Sequence, residues 1–262
     1  MAHDFLNGFC GNLCNHEADV AKLIHDLYRL GAPSSIYSFL IKISYECRTG
    51  NLSASVAADL FRAAESFLVR RGAFGLEPSG LHAAFKGLWS EIKQDMADEG
   101  ITDDAKMVTL MIKRIRARST VKWPSSDEFI HSLESRGIYG SRVTPYILSE
   151  YNKSLGDDGV DGKPHVEHVL PQVMSETWTP IFTKEVHAGL VDKIGNLTLL
   201  SEKMNTEISN GAYELKRDKF RTQSRYTISR KLGTDYENWT TASIKRRSHD
   251  IATWAALRWA IG

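Results

Sequence analysis

Three cysteines, Cys10, Cys14 and Cys47, are all that this chain of 262 residues carries. That is too few for a disulfide framework, and the reducing cytoplasm is the expected compartment. No apolar run approaches the roughly 18 residues that suggest a membrane span. The N-terminus lacks the pattern of a signal peptide. An excess of one charge is missing too: 33 Lys and Arg stand against 32 Asp and Glu, a formal net charge of +1. Residues 1–155 show no alternating strand pattern, and no repeat of fixed period runs through the chain. What remains is ordinary for a soluble protein, 42% hydrophobic and 25% charged, with length enough for one large or two small domains.

The charge is unevenly spread. Residues 203–262 hold 12 Lys or Arg against 6 Asp or Glu, so this tail carries +6 and the remainder −5. A binder of phosphate backbones concentrates its basic residues in this way. Residues 1–155 read as helical throughout, in segments such as ADVAKLIHDLYRL, SASVAADLFRAAESFLVRRG, SGLHAAFKGLWSEIKQDMADEG and TDDAKMVTLMIKRIRARS. A bundle-like helical domain is expected over 1–155. Arg70, Arg71, Lys113, Arg114, Arg116 and Arg118 read as solvated helix faces or contacts to the rest of the protein, ahead of DNA contacts. CGNLCNH, with Cys10, Cys14 and His16, has no second ligand pair at finger-like spacing and does not read as a zinc site. LGDDGVDGKP, 155–164, reads as a linker over 156–164; it lacks the spacing and bidentate glutamate of a calcium loop.

Two pieces after that linker carry chemistry. HVEHVLPQ places Glu167 directly before His168, and GNLTLLSEKMN places a short strand-like run between Asn196 and Asn205. Glu167 and Asn205 offer hard oxygen ligands to a divalent cation such as Mg²⁺. His168 is the nearby side chain whose ordinary pKa suits proton abstraction from water. The set fits hydrolysis of a phosphodiester, in which a metal neutralises phosphate charge and the histidine makes hydroxide. A competing reading takes His165, His168 and His187 as zinc ligands. A lone histidine, or a lone Glu-His pair, is more often structural than catalytic.

The conjunction of Glu167, His168 and Pro171, then Gly195 to Leu200, then Asn205, resembles the C-terminal HNH (ββα-metal) nuclease domain of the GmrSD/SspE type of modification-dependent restriction and anti-phage enzymes. ESFLVRRGAFGL and KWPSSDEF resemble the helical region that precedes that nuclease, and Trp239, Ile244 and Arg247 follow the spacing of its closing helix, so the likeness covers most of 65–262. The resemblance implies His168 as general base, Asn196 as a brace of the loop carrying the base, and Glu167 and Asn205 as ligands of one Mg²⁺ (or Mn²⁺). It implies a lysine at Lys216, read as a phosphate clamp with a solvated helix charge as the alternative. His165 and Asn210 are candidate metal or phosphate contacts, His165 also a brace and Asn210 also a helix cap. Lys245, Arg246 and Arg247 form a basic run for the DNA backbone, with Arg247 alternatively a brace. Full-length relatives usually begin with a ParB-like domain carrying a D-G-Q-Q-R-type motif; no such motif occurs here, so a longer protein with that partner domain is expected.

The expected protein is therefore mostly helical: a helical domain, 1–155, the linker, and an HNH nuclease module, 165–262, closed by a helix from Trp239 to Ile261. The expected activity is metal-dependent nicking of double-stranded DNA in bacterial defence against foreign or phage DNA. The alternatives are a catalytically idle DNA-binding or regulatory module, and a helical protein-interaction module of a larger restriction complex.

Overall fold

The computed structural model describes residues 18–157, 164–208 and 210–261. Cys10, Cys14 and His16 lie outside the described residues, as does most of the expected linker. The chain divides into two compact units, Met1–Ser125 with Trp259–Gly262, and Ser126–Arg258. The expected linker therefore falls inside the second unit. Among the described residues the fold is mostly helical with one small two-stranded sheet, and no helix is long and apolar enough to cross a membrane.

The first unit holds α1 (Ala18–Leu30), α2 (Tyr37–Arg48), α3 (Ala54–Phe74), α4 (Leu81–Lys86), α5 (Leu88–Asp98) and α6 (Lys106–Arg116). Helix α3 is its axis. Ser53 caps it by accepting a hydrogen bond from the Val56 N–H, at 3.3 Å. The helix runs through Gly72 and stops at Gly75, whose φ of 77° turns the chain left-handed. The segment expected as one helix after Ser79 breaks in two at Gly87, between α4 and α5. Loss of the side chain there removes the packing that would carry a helix through.

Arg70 and Arg71 take the second of their two expected placings: both are buried on α3 and contact the rest of the protein, not solvent. Arg70 Nε donates to the Trp259 carbonyl at 2.8 Å, and Arg71 donates to the Lys122 and Glu77 carbonyls. Trp259 Nε1 in turn donates to Glu65 at 2.7 Å, and Ser66 donates to the Trp259 carbonyl. The last residues are thus tied by a buried polar network into the unit that begins the chain. Burial lowers the Arg70 guanidinium to about 10, still charged at neutral pH. Three of the cations on and just after α6 are ion-paired: Arg118 with Glu91, Arg114 with Asp95, Lys113 with Glu99.

The second unit holds α7 (Ser126–Ser135), α8 (Thr144–Ser154), β1 (His165–His168), α9 (Lys184–Leu190), β2 (Leu197–Leu200), α10 (Glu202–Ile208), α11 (Tyr213–Gln223), α12 (Thr227–Asp235) and α13 (Thr241–Arg258). β1 and β2 pair antiparallel, with His165 opposite Leu200 and His168 opposite Leu197. All of β2 is buried, so the run LTLL reads as continuous rather than alternating. α10 packs against β1, and α12 against β2 and α11. Trp178, Phe182, Phe220, Leu232 and Trp239 fill the core beside Val169 and Leu200. Helices α10 and α12 have no counterpart in the pattern reading; short and polar, they form because neighbours cover their few apolar side chains. The closing helix is shorter than expected. Thr240 and Ser243 cap it reciprocally, so it starts at Thr241, leaving Trp239 in the core below it.

Candidate functional site

The site is built where β1 ends. Successive strand residues face opposite ways, so Glu167 and His165 share one face and His168 takes the other. The three do not form one ligand set. His168 is buried and its Nε2 lies 3.0 Å from Asp192 Oδ1. The Tyr139 ring packs on the imidazole with centroids 4.1 Å apart. His187 bonds elsewhere, to the Pro171 carbonyl at 2.8 Å. The three-histidine zinc reading thus has no support: among the described residues no group of three or more His, Cys, Asp or Glu is placed to hold a metal.

Asn196 is fully buried and every polar atom of its amide is used. Its Oδ1 accepts from the Leu170 N–H at 2.8 Å and from Trp239 Nε1 at 3.0 Å. Its Nδ2 donates to the Leu170 carbonyl at 2.9 Å and the Val191 carbonyl at 2.8 Å. The side chain thus stitches the exit of β1 to the turn that enters β2. It holds the backbone on both sides of the His168–Asp192 contact, with no group left over for a substrate.

Lys216, on α11, is fully buried. Its Nζ donates to the His168 carbonyl at 2.9 Å and lies 3.3 Å from Glu167 Oε1. That burial excludes the solvated-charge reading, and it also takes the ammonium away from an approaching phosphate. The desolvated site lowers the lysine pKa, against the opposing pull of Glu167. Burial likewise lowers His168, with Asp192 and Glu167 pulling the other way, so the imidazole is neutral at neutral pH.

Arg247 also departs from the expected DNA contact. It is 4% exposed. Its Nη1 donates to the carbonyls of Gly195 at 2.7 Å and Leu197 at 2.6 Å. An arginine that caps carbonyls from beneath cannot touch a duplex, so it is the brace of the β2 turn. The same turn demands Gly195: a Cβ there would overlap the Ile244 carbonyl oxygen and the Ser248 hydroxyl. Helix α13 and the turn are in direct backbone contact, with the Gly195 N–H donating to Ser248 Oγ at 3.1 Å. Lys245 and Arg246 do face solvent, with Arg246 4.0 Å from Asp250.

Asn205 sits on α10, the helix packed on β1. Its Oδ1 is buried and bonds nothing. An orphaned amide oxygen beside a strand carrying a carboxylate suits a hard cation that keeps part of its water shell. The donor chemistry of Glu167 and Asn205 therefore fits Mg²⁺ or Mn²⁺. Asn210 is exposed, and only its carbonyl is engaged, by Ser175 Oγ at 3.3 Å. Helix α11 is capped by Ala212, without a side-chain bond, so Asn210 is not its cap.

The structure adds Asp192 and Tyr139 to the site. Neither stands in a motif. Asp192 lies in an unremarkable VDK step, and Tyr139 is far from His168 in sequence. Only folding brings them to the imidazole.

Comparison with known proteins fits this geometry. No curated protein and no solved structure matches the chain. The family model described as GmrSD restriction endonucleases, C-terminal domain, matches residues 123–254, half of the chain, spanning β1, β2, the Asn196 turn and most of α13. The chain belongs to the GmrSD restriction endonuclease C-terminal domain family.

Proposed function

We propose that this chain is an HNH-type, metal-dependent DNA endonuclease acting in bacterial restriction of foreign or phage DNA. The observation that carries the reading is the convergence on the end of β1: Glu167 and His168 are joined to Asn196 through the Leu170 backbone and to Lys216 directly. In this reading β1, β2 and a following helix are the ββα of the module. Glu167 and Asn205 hold one Mg²⁺ (or Mn²⁺), which when bound neutralises charge on the scissile phosphate and on the leaving oxygen.

His168 is the general base. It is buried and neutral at working pH, so it is ready to accept a proton from water. The water O–H bond breaks, its oxygen attacks phosphorus, and the phosphorus bond to the leaving oxygen breaks as that oxygen takes a proton from solvent. Asn196 and Lys216 act on the backbone around the base rather than on substrate. Lys245 and Arg246 are the exposed basic residues proposed for the DNA backbone, and Arg247 is withdrawn from that role. A single site cuts one strand, so nicking is the product of one copy. A ParB-like domain supplied elsewhere in the full protein is the proposed partner that directs the cut.

The test is relaxation of supercoiled plasmid in Mg²⁺ by the parent and by His168→Ala, with circular dichroism to establish that both are folded. Loss of nicking in a folded His168→Ala is expected. Equal nicking by both would overturn the assignment.

A further inference from the structure

We infer that Asp192 is a positioning residue, one that holds the His168 imidazole so that Nδ1 is the nitrogen offered to water. The inference rests on the reading of His168 as general base. The Asp192 carboxylate accepts and does not donate, so at 3.0 Å from Oδ1 it is Nε2 that carries the proton of the neutral ring. Nδ1 bonds no described residue and so keeps its lone pair. The Tyr139 ring sits tilted against the imidazole, with 58° between the planes, and leaves it little room to rotate toward that side. A neutral ring with one nitrogen fixed and the other open has a defined direction for proton uptake.

The surrounding backbone makes the contact rigid. The Ile138 and Tyr139 N–H groups donate to the Asp192 carbonyl at 2.9 and 3.4 Å, and Gly137 bridges antiparallel to Lys193. The strap packs closely: a Cβ at Gly137 would lie 3.0 Å from Asp192 Cβ, so the aspartate side chain has little room on that side. On the far side, Asn196 pins the Val191 carbonyl, one residue before Asp192, and Lys216 pins the His168 carbonyl. Both partners are thus held by their own backbones, and the side-chain contact between them needs no further ordering. Pre-organised geometry of this kind is what a general base requires, because a small displacement of the accepting nitrogen lowers the rate steeply.

During the reaction the water proton passes to Nδ1 and the Nε2 proton stays on the ring beside Asp192. The imidazolium then returns the Nδ1 proton to solvent, restoring the starting tautomer. No group beyond water and the phosphodiester is consumed.

The experiment uses the full chain with Asp192→Ala and Asp192→Asn. A ring ¹⁵N–¹H correlation spectrum reads which nitrogen of His168 bears the proton and whether that proton is protected from exchange. Plasmid nicking reads kcat and KM. The parent is expected to show a protected Nε2–H. Asp192→Ala is expected to lose that protection and to drop kcat about 10- to 100-fold, with KM within about twofold. Asp192→Asn keeps an accepting oxygen and is expected to retain the protected proton and most of kcat, which a role through bulk charge would not permit. Asp192 is half-exposed and its side chain's hydrogen bond among the described residues is the one to His168, so both variants should fold, and thermal melts check this. A proton on Nδ1 in the parent, or full kcat in Asp192→Ala while His168→Ala is dead, overturns the inference alone. Undiminished nicking by His168→Ala overturns the catalytic reading, and the inference with it.

Discussion

The ammonium of Lys216 donates to the main-chain carbonyl of His168, at 2.9 Å, from a helix that enters the chain 48 residues later. A buried lysine bound to a carbonyl and a carboxylate holds the end of a strand; it does not wait for a phosphate. Lys216→Met keeps the length and apolar stem but leaves the His168 carbonyl without its donor and Glu167 without its cation. A loss of roughly 1–3 kcal/mol is expected, the cost of leaving a buried acceptor unpaired. Urea denaturation followed by circular dichroism measures it, and an unchanged midpoint would show that the lysine does not brace the strand.

Gly195→Ala should be more damaging. The added methyl meets the Ile244 carbonyl and the Ser248 hydroxyl, both on the helix that Arg247 locks to the same turn. Backbone cannot move aside as a flexible side chain does, so α13 must shift off the turn. A loss of roughly 3 kcal/mol or more is expected, on the scale of strong overpacking. Gly189→Ala, where nothing lies within 4 Å, is the matched control and should leave the melting temperature nearly unchanged.

The pH dependence follows from the direction of the His168 shift. Burial lowers its pKa from the ordinary imidazole value. Above the unfolded-state value both states are neutral, and the group costs the fold nothing. As pH falls from the unfolded value through the lower folded value, the unfolded chain takes up the proton first, so stability is lost across that window. In the proposed role of base, His168 also stays neutral at a pH where free imidazole is already protonated. The acid limb of the nicking rate should fall below about 6.5, the ordinary imidazole value. An acid limb above that value, assigned to His168 by its chemical shift, would contradict the buried site.

Trp259 gives a test of the first unit that is independent of catalysis. Its indole N–H donates to Glu65, and its carbonyl accepts from Ser66 and Arg70. Trp259→Phe keeps much of the packing and the carbonyl but removes one buried hydrogen bond to Glu65. About 1–3 kcal/mol should be lost. The loss should appear in the unfolding of the first unit, read by hydrogen exchange of the α3 amides, while the amides of β2 keep their protection.

Much of the site was legible because its chemistry is local. Glu167 and His168 are adjacent, Asn196 follows Gly195 at a fixed step, and the apolar run Leu197 to Leu200 announces β2. Most helices of the first unit were readable from their apolar spacing and their caps, because a surface helix carries its own periodicity. Exposure was not legible. Lys216, Arg247, Arg70 and Arg71 are all charged, and the sequence leaves a brace or a contact within the protein open beside a solvent- or DNA-facing role for the three arginines, and gives Lys216 a phosphate or solvent to face. Each is buried because carbonyls meet it, for Lys216 a carboxylate as well, and most of these partners lie about 50 residues or more away, so no single stretch of sequence contains both sides of the contact.

The same division holds for the site as a whole. The amino-acid sequence by itself determined that there is a helical first half, a short strand pair bearing Glu167 and His168, and an asparagine set beside them. It thereby pointed to the restriction endonuclease family. Only the tertiary structure decided which of the candidate residues are buried against backbone carbonyls and which are not. Asp192 and Tyr139 come to the imidazole through backbone pairing at Gly137 and Lys193, and Lys216 and Arg247 turn inward to hold carbonyls. The reason is physical: a strand of four residues cannot fix the His168 side chain alone, so the groups that hold it come from whichever segments pack around it.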